Sequence, residues 1–104
     1  MATGILATLD ITSASTDLQL YAGVASKNSS LTVCLTNRTS SPVNVNIALT
    51  QATSVSNPTY IAYQQIIYPN ESYERSGLVI TTGQYVYVNS SATGVSAVAW
   101  GYEE

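Results

Sequence analysis

Leu31-Thr32-Val33-Cys34-Leu35-Thr36, Asn37-Arg38-Thr39-Ser40-Ser41-Pro42 and Val43-Asn44-Val45-Asn46-Ile47-Ala48-Leu49-Thr50 run consecutively, and their pattern decides the fold class. Leu31, Val33 and Leu35 alternate with Thr32, Cys34 and Thr36. Val43, Val45, Ile47 and Leu49 alternate with Asn44, Asn46, Ala48 and Thr50. A period of two puts successive side chains on opposite faces of an extended chain, so each stretch reads as a strand with one buried face. The six residues between them are turn formers ending in Pro42. The expectation is a β-hairpin with a loop longer than two residues.

Working outward, further strands are expected over Gly4 to Leu9, Leu18 to Val24, Thr59 to Tyr68, Ser72 to Ile80, Gln84 to Asn89 and Val95 to Tyr102. Turn-forming clusters such as Ser26-Lys27-Asn28-Ser29, Pro69-Asn70-Glu71 and Thr82-Gly83 separate them. Gly and β-branched residues interrupt every candidate helical stripe. The fold class is all-β: residues 1–104 form one antiparallel β-sandwich or jelly-roll-like barrel. In Tyr60 to Tyr68 the alternation breaks, because Ile61, Tyr63 and Ile67 share one parity while Tyr60, Ala62, Ile66 and Tyr68 share the other. Either a bulge at Gln64-Gln65 swaps the faces, or both faces are covered.

Composition excludes whole classes of function. Of 104 residues only nine are charged, and 39 are Ser, Thr, Asn or Gln. There is no His, which removes the commonest acid/base near neutral pH and the commonest metal ligand. The single Cys, Cys34, allows neither an intramolecular disulfide nor a cysteine-based zinc site, and its place in a strand reads as a small packed hydrophobe. Three basic residues, Lys27, Arg38 and Arg75, cannot track a phosphate backbone, so no nucleic-acid partner is expected. No apolar run is long enough to span a membrane, and Met1-Ala2-Thr3-Gly4 carries no secretory signal. No cofactor, metal site or catalytic residue is expected.

Glu71, Glu74 and Arg75 form the tightest charge cluster. Two carboxylates suit a glycosidase, but nothing completes such a site, and the expectation is an ion pair pinning a turn or subunit contact. Asn28, Asn37, Asn70 and Asn89 each begin an N-x-[ST] triplet, which the Ser/Thr-rich composition accounts for. Eight Tyr carry the best case for recognition. If Val86 and Val88 face the core, Tyr85 and Tyr87 face out as an aromatic pair, free to stack on a sugar or a partner or simply to pack against each other. With one Lys to guard its edges and a neutral Ser/Thr/Tyr surface, the chain is expected to work largely covered, as a homo-oligomer or a docked subunit.

Three stretches also carry a resemblance: the segment from Leu31 to Arg38 followed by Val43 to Leu49; Tyr60-Ile61-Ala62-Tyr63 followed by Glu74-Arg75-Ser76-Gly77-Leu78; and Val95-Ser96-Ala97-Val98-Ala99-Trp100-Gly101-Tyr102-Glu103-Glu104. Together they resemble small virion structural proteins of tailed bacteriophages, including phages of cyanobacteria. The resemblance implies a non-catalytic β-sandwich assembled in the host cytoplasm and built into the virion. The expected role is capsid decoration or cement, with the major capsid protein or other virion proteins as partners and a trimer as the favoured homo-oligomer. The alternative is a tail, baseplate or fibre component, with a receptor- or glycan-binding module as one form. Expected interface residues are Tyr60, Tyr63, Tyr68, Glu74, Arg75, Tyr85, Tyr87, Trp100 and Tyr102.

Overall fold

The alternating stretches form strands in the computed structural model, which describes residues 3–51 and 53–104. Met1 and Ala2, which carry part of the leader reading, lie outside the described residues. The strands are β1 (Thr3–Ile11), β2 (Leu18–Ala22), β3 (Asn28–Asn37), β4 (Val43–Thr50), β5 (Tyr60–Ile67), β6 (Ser72–Thr81), β7 (Tyr85–Ser90) and β8 (Val95–Glu103). A short 3₁₀ turn, Asn57–Thr59, leads into β5. Among the described residues no helix is long and apolar enough to cross a membrane.

Two antiparallel four-stranded sheets result, with strand orders β1-β8-β3-β6 and β2-β7-β4-β5. The pairs β1–β8, β2–β7, β3–β6 and β4–β5 are nested one inside the next. The ladders β3–β8 and β4–β7 close this folded-over ribbon into two sheets. That is the connectivity of a double-sheet jelly roll. Among the described residues, β4 and β5 are the one pair of consecutive strands that are also hydrogen-bonded neighbours.

The expected hairpin over residues 31–49 therefore does not form, although both of its strands do. β3 and β4 are inner strands of different sheets, and the loop between them passes from one sheet to the other. The backbone leaving β3 is captured by other partners. The Asn37 N–H donates to the Glu71 carbonyl at 2.9 Å, the Asn37 carbonyl accepts from Asn70 at 3.0 Å, and the Arg38 N–H donates to the Gly94 carbonyl at 3.0 Å. The Asn37 side chain is fully buried and completes the diversion. Its Nδ2 donates to the carbonyls of Ser41 and Ile67, each at 2.9 Å, and its Oδ1 accepts from the Thr39 N–H at 2.8 Å and the Thr39 hydroxyl at 2.7 Å.

Leu31, Val33 and Leu35 of β3 share one core with Val43, Val45 and Ile47 of β4. Ile11, Ile80, Val86, Val88 and Val95 add to it, each at most 2% exposed. Tyr21 is the aromatic of this interior, with its hydroxyl and that of Ser29 sharing a 2.6 Å hydrogen bond.

Each of the four edge strands has a break in register. The shifts fall between Ile5 and Ala7 on β1 and between Gln19 and Tyr21 on β2. On β5 they lie opposite Val45/Ile47 and Ile47/Ala48, and on β6 opposite Leu31/Val33. The central ladders β3–β8 and β4–β7 run unbroken. The break on β5 includes Gln64 at φ 54°, at the bulge anticipated from the lost alternation, and that on β6 includes Gly77 at φ 77°. Bulges twist an edge away from incoming strands. With a single lysine in the chain, these bulges supply the guard, and they disfavour the addition of a further strand at the edges.

Candidate functional site

The nine residues singled out from the sequence fall on separate parts of the surface. Tyr60, Tyr63, Tyr85 and Tyr87 belong to the β2-β7-β4-β5 sheet. Trp100 and Tyr102 lie on β8 of the other sheet, Glu74 and Arg75 on its edge strand β6, and Tyr68 in the connection after β5.

The outer face of the β2-β7-β4-β5 sheet carries the richest set of polar and aromatic groups. Because Ile47 and Val88 point into the core, their neighbours Ala48 and Tyr87 point out. The register places Gln19, Tyr87, Ala48 and Tyr60 in one row across all four strands. In the next row Asn89 pairs with Asn46. The Asn89 Nδ2 donates to the Asp17 carboxylate at 2.9 Å, and the Gln64 N–H at the β5 bulge donates to the Asn46 Oδ1 at 2.7 Å. The bulge carries Tyr63 beside Tyr60, with ring centroids 4.8 Å apart in an edge-to-face contact at 61°. Tyr63 is 63% exposed. The Tyr60 hydroxyl is held above its ordinary pKa, first by burial, then by the negative charge of Asp17 and by Tyr63.

The expected Tyr85–Tyr87 platform is only half present. Val86 and Val88 do face the core, and the two rings stand 6.4 Å apart. Tyr87, however, is 9% exposed, with its hydroxyl donating to the Thr53 carbonyl at 3.0 Å. The chain after β4 passes over this ring and removes it as a free stacking surface. Asp17, Asn46 and Asn89 were not legible as site residues. The one available signal was parity, since Asn46 and Asn89 sit opposite the core positions of their strands.

The outer face of the β1-β8-β3-β6 sheet differs in character. Ile5, Trp100 and Thr32 form one row, Thr8, Val98, Cys34 and Glu74 another, and Thr3, Tyr102, Ser30 and Val79 a third. Ile5 is 72% exposed, Val79 61% and Tyr102 45%, while Trp100, Val98 and Cys34 are half-buried. Ile5 and Val79 escaped the sequence reading because single apolar residues near strand ends pass for core.

Within the described residues of the chain, Glu71, Glu74 and Arg75 form no ion pair that pins the turn. Glu74 and Arg75 lie along the exposed β6 edge, and among the described residues the salt bridge joins Arg38 to Asp10 instead. That pair fastens the β3–β4 crossing to β1. The register puts Arg75 opposite core-facing Val33, beside the bulge, yet Arg75 is exposed.

A groove of about 610 Å³ opens at one end of the sandwich, lined by Leu49, Ile61, Ile80, Tyr60, Thr59 and Gln84 among others. Tyr60 is its one titratable side chain. Among the described residues no group of three His, Cys, Asp or Glu could hold a metal ion. No protein-family model, no curated protein and no solved structure matches this chain.

Proposed function

We propose that this chain is a non-catalytic structural protein of a bacteriophage virion, a decoration or cement subunit that binds the assembled capsid. The observation that supports this best is the apolar band formed by Ile5, Val98, Trp100 and Tyr102 along β1 and β8 on the outer face of the β1-β8-β3-β6 sheet, with exposed Val79 on β6 across Ser30. Its surroundings are Ser and Thr, with Glu74 and Asp10 at the margin. Interface cores are rich in aromatic and aliphatic residues and poor in charge. Neutral hydroxyl surfaces are also cheaper to strip of water than ionised ones. A subunit of this kind stabilises a shell by binding its assembled form, with no reaction required. The jelly-roll connectivity is compatible with the role by analogy alone, because the same architecture serves viral capsids and lectins alike.

The major capsid protein and further copies of the chain are the proposed partners, with a trimer fitting a threefold position. Guarded strand edges favour face-to-face contacts over strand addition. The test is rebinding of purified protein to virions stripped of it, read by cosedimentation. Wild-type protein should bind saturably, while Ile5→Glu and Val79→Glu should bind poorly with unchanged unfolding curves. Undiminished binding by both variants would remove the apolar band from the proposal.

A further inference from the structure

We propose that the array Asp17, Asn89, Asn46, Tyr63 and Tyr60, on the outer face of the β2-β7-β4-β5 sheet, is a binding site for a neutral oligosaccharide. This inference does not depend on where the chain sits in a virion. The five side chains are contiguous. Asp17 holds Asn89, Asn89 is the cross-strand partner of Asn46, Asn46 holds the backbone at Gln64, and the adjoining Tyr63 packs on Tyr60.

Their hydrogen-bonding capacity is only partly used. Within the described residues, the Asn46 Nδ2, the Asn89 Oδ1 and the second Asp17 oxygen make no hydrogen bond. All three residues are at least partly exposed. The result is a row of donors and acceptors beside an exposed aromatic face. A sugar ring presents hydroxyls that both donate and accept along its edge, with an apolar C–H face above and below. That combination matches amides and a carboxylate next to tyrosine rings.

Other ligand classes fit poorly. Asp17 is the one charged member of the array, and Lys27, Arg38 and Arg75 belong to other parts of the fold, so phosphate, nucleic acid and acidic sugars meet no cation. A protein partner needs roughly 800 Å² on each side with an apolar centre, whereas the exposed apolar surface here is confined to β5, as Tyr63, Ile66 and part of Tyr60, and the middle of the array is the polar pair Asn46 and Asn89. Asp17 at β2 and Tyr63 on β5 are separated by three strand spacings, about 14 Å. That length suits a short oligosaccharide better than a single ring. The row is also pre-formed, because the Asn46, Asn89 and Asp17 side chains are already oriented by their mutual and backbone bonds.

The experiment is a printed array of neutral and acidic oligosaccharides probed with the full chain. It is followed by an NMR titration with the best-retained neutral oligosaccharide. Neutral glycans should be retained, and the shifted amides should cluster at residues 17, 46, 63 and 89. Tyr63→Ala and Asp17→Ala should each weaken binding about tenfold or more. Tyr102→Ala, on the opposite sheet, should leave binding unchanged. Unfolding midpoints measured for all variants separate lost contacts from lost folding. Retention of acidic glycans alone, no retention at millimolar concentrations, or binding that survives Tyr63→Ala would each overturn the assignment. None of these outcomes alters the number of copies in a particle, which tests the virion reading separately.

Discussion

Replacing Asn37 by Ala removes four hydrogen bonds at the point where the chain crosses from one sheet to the other. The Ile67 carbonyl loses its side-chain donor in a buried setting, which costs about 1–3 kcal/mol. The bonds to Ser41 and Thr39 lie nearer solvent, so each contributes about 1 kcal/mol or less once water substitutes. The sum is about 4 kcal/mol, a large share of the roughly 5–15 kcal/mol that holds a domain together. For a chain of this length that corresponds to a fall of about 20 °C in the unfolding midpoint. Urea and thermal unfolding followed by circular dichroism would measure it. Asn37→Asp sharpens the test, because it preserves shape and the acceptor for Thr39 while aiming a carboxylate at two carbonyl oxygens. At pH 7 it should be at least as unstable as Asn37→Ala. The introduced carboxyl has its folded-state pKa raised by burial, so the native state binds its proton more tightly and the deficit shrinks as pH falls toward about 4. A loss below about 1 kcal/mol for Asn37→Ala, or wild-type stability for Asn37→Asp at pH 7, would refute the reasoning.

Four further outcomes are expected. Val45→Asp and Ile47→Asp should yield unfolded protein, since both positions are fully buried, whereas Asn46→Asp keeps the acceptor for the Gln64 N–H and should fold with a cost of about 1 kcal/mol or less; far-UV circular dichroism distinguishes them. Gly101→Ala should cost several kcal/mol in urea unfolding, about the range of the worst core substitutions, because its Cβ would collide with the Ser30 carbonyl in the β3–β8 ladder. Tyr21 has its pKa raised by burial and by the Glu103 charge, with the Ser29 bond opposing. Its contribution is therefore fully present below about pH 10 and lost as pH rises through the raised folded value, and Tyr21→Phe should flatten that part of an alkaline stability profile. Arg75→Glu should leave the unfolding curve within about 0.5 kcal/mol of wild type, because Arg75 is exposed and outside the Arg38–Asp10 ion pair, while lowering particle occupancy if the β6 edge touches the shell; unchanged occupancy would exclude that edge.

The strands were legible because period-two alternation reports burial directly. The observed β4, Val43–Thr50, coincides with the alternating stretch, and β6 and β8 extend only one residue beyond their expected ends. Pairing was not legible. In a nested ribbon β3 lies against β6 and β8, far away in sequence, and no local pattern records this. Asn37 shows the same limit. In sequence it reads as a loop residue, and only its four bonds reveal that it directs the crossing. The bulge at Gln64 was foreseeable because broken parity is its signature, but the cover over Tyr87 was not, since it depends on the path of the chain near Thr53. The candidate surface was visible as tyrosines, while the polar partners that give it chemical character emerged only with the register.

Copy number per particle tests the virion proposal most directly, measured by quantitative mass spectrometry of purified virions against the major capsid protein. The proposal predicts a count in proportion to the capsid lattice, on the order of hundreds for a tailed-phage shell with many repeated binding positions. A handful of copies would contradict capsid decoration and place the chain in the tail, baseplate or fibre. Absence from the particle would contradict a virion role altogether.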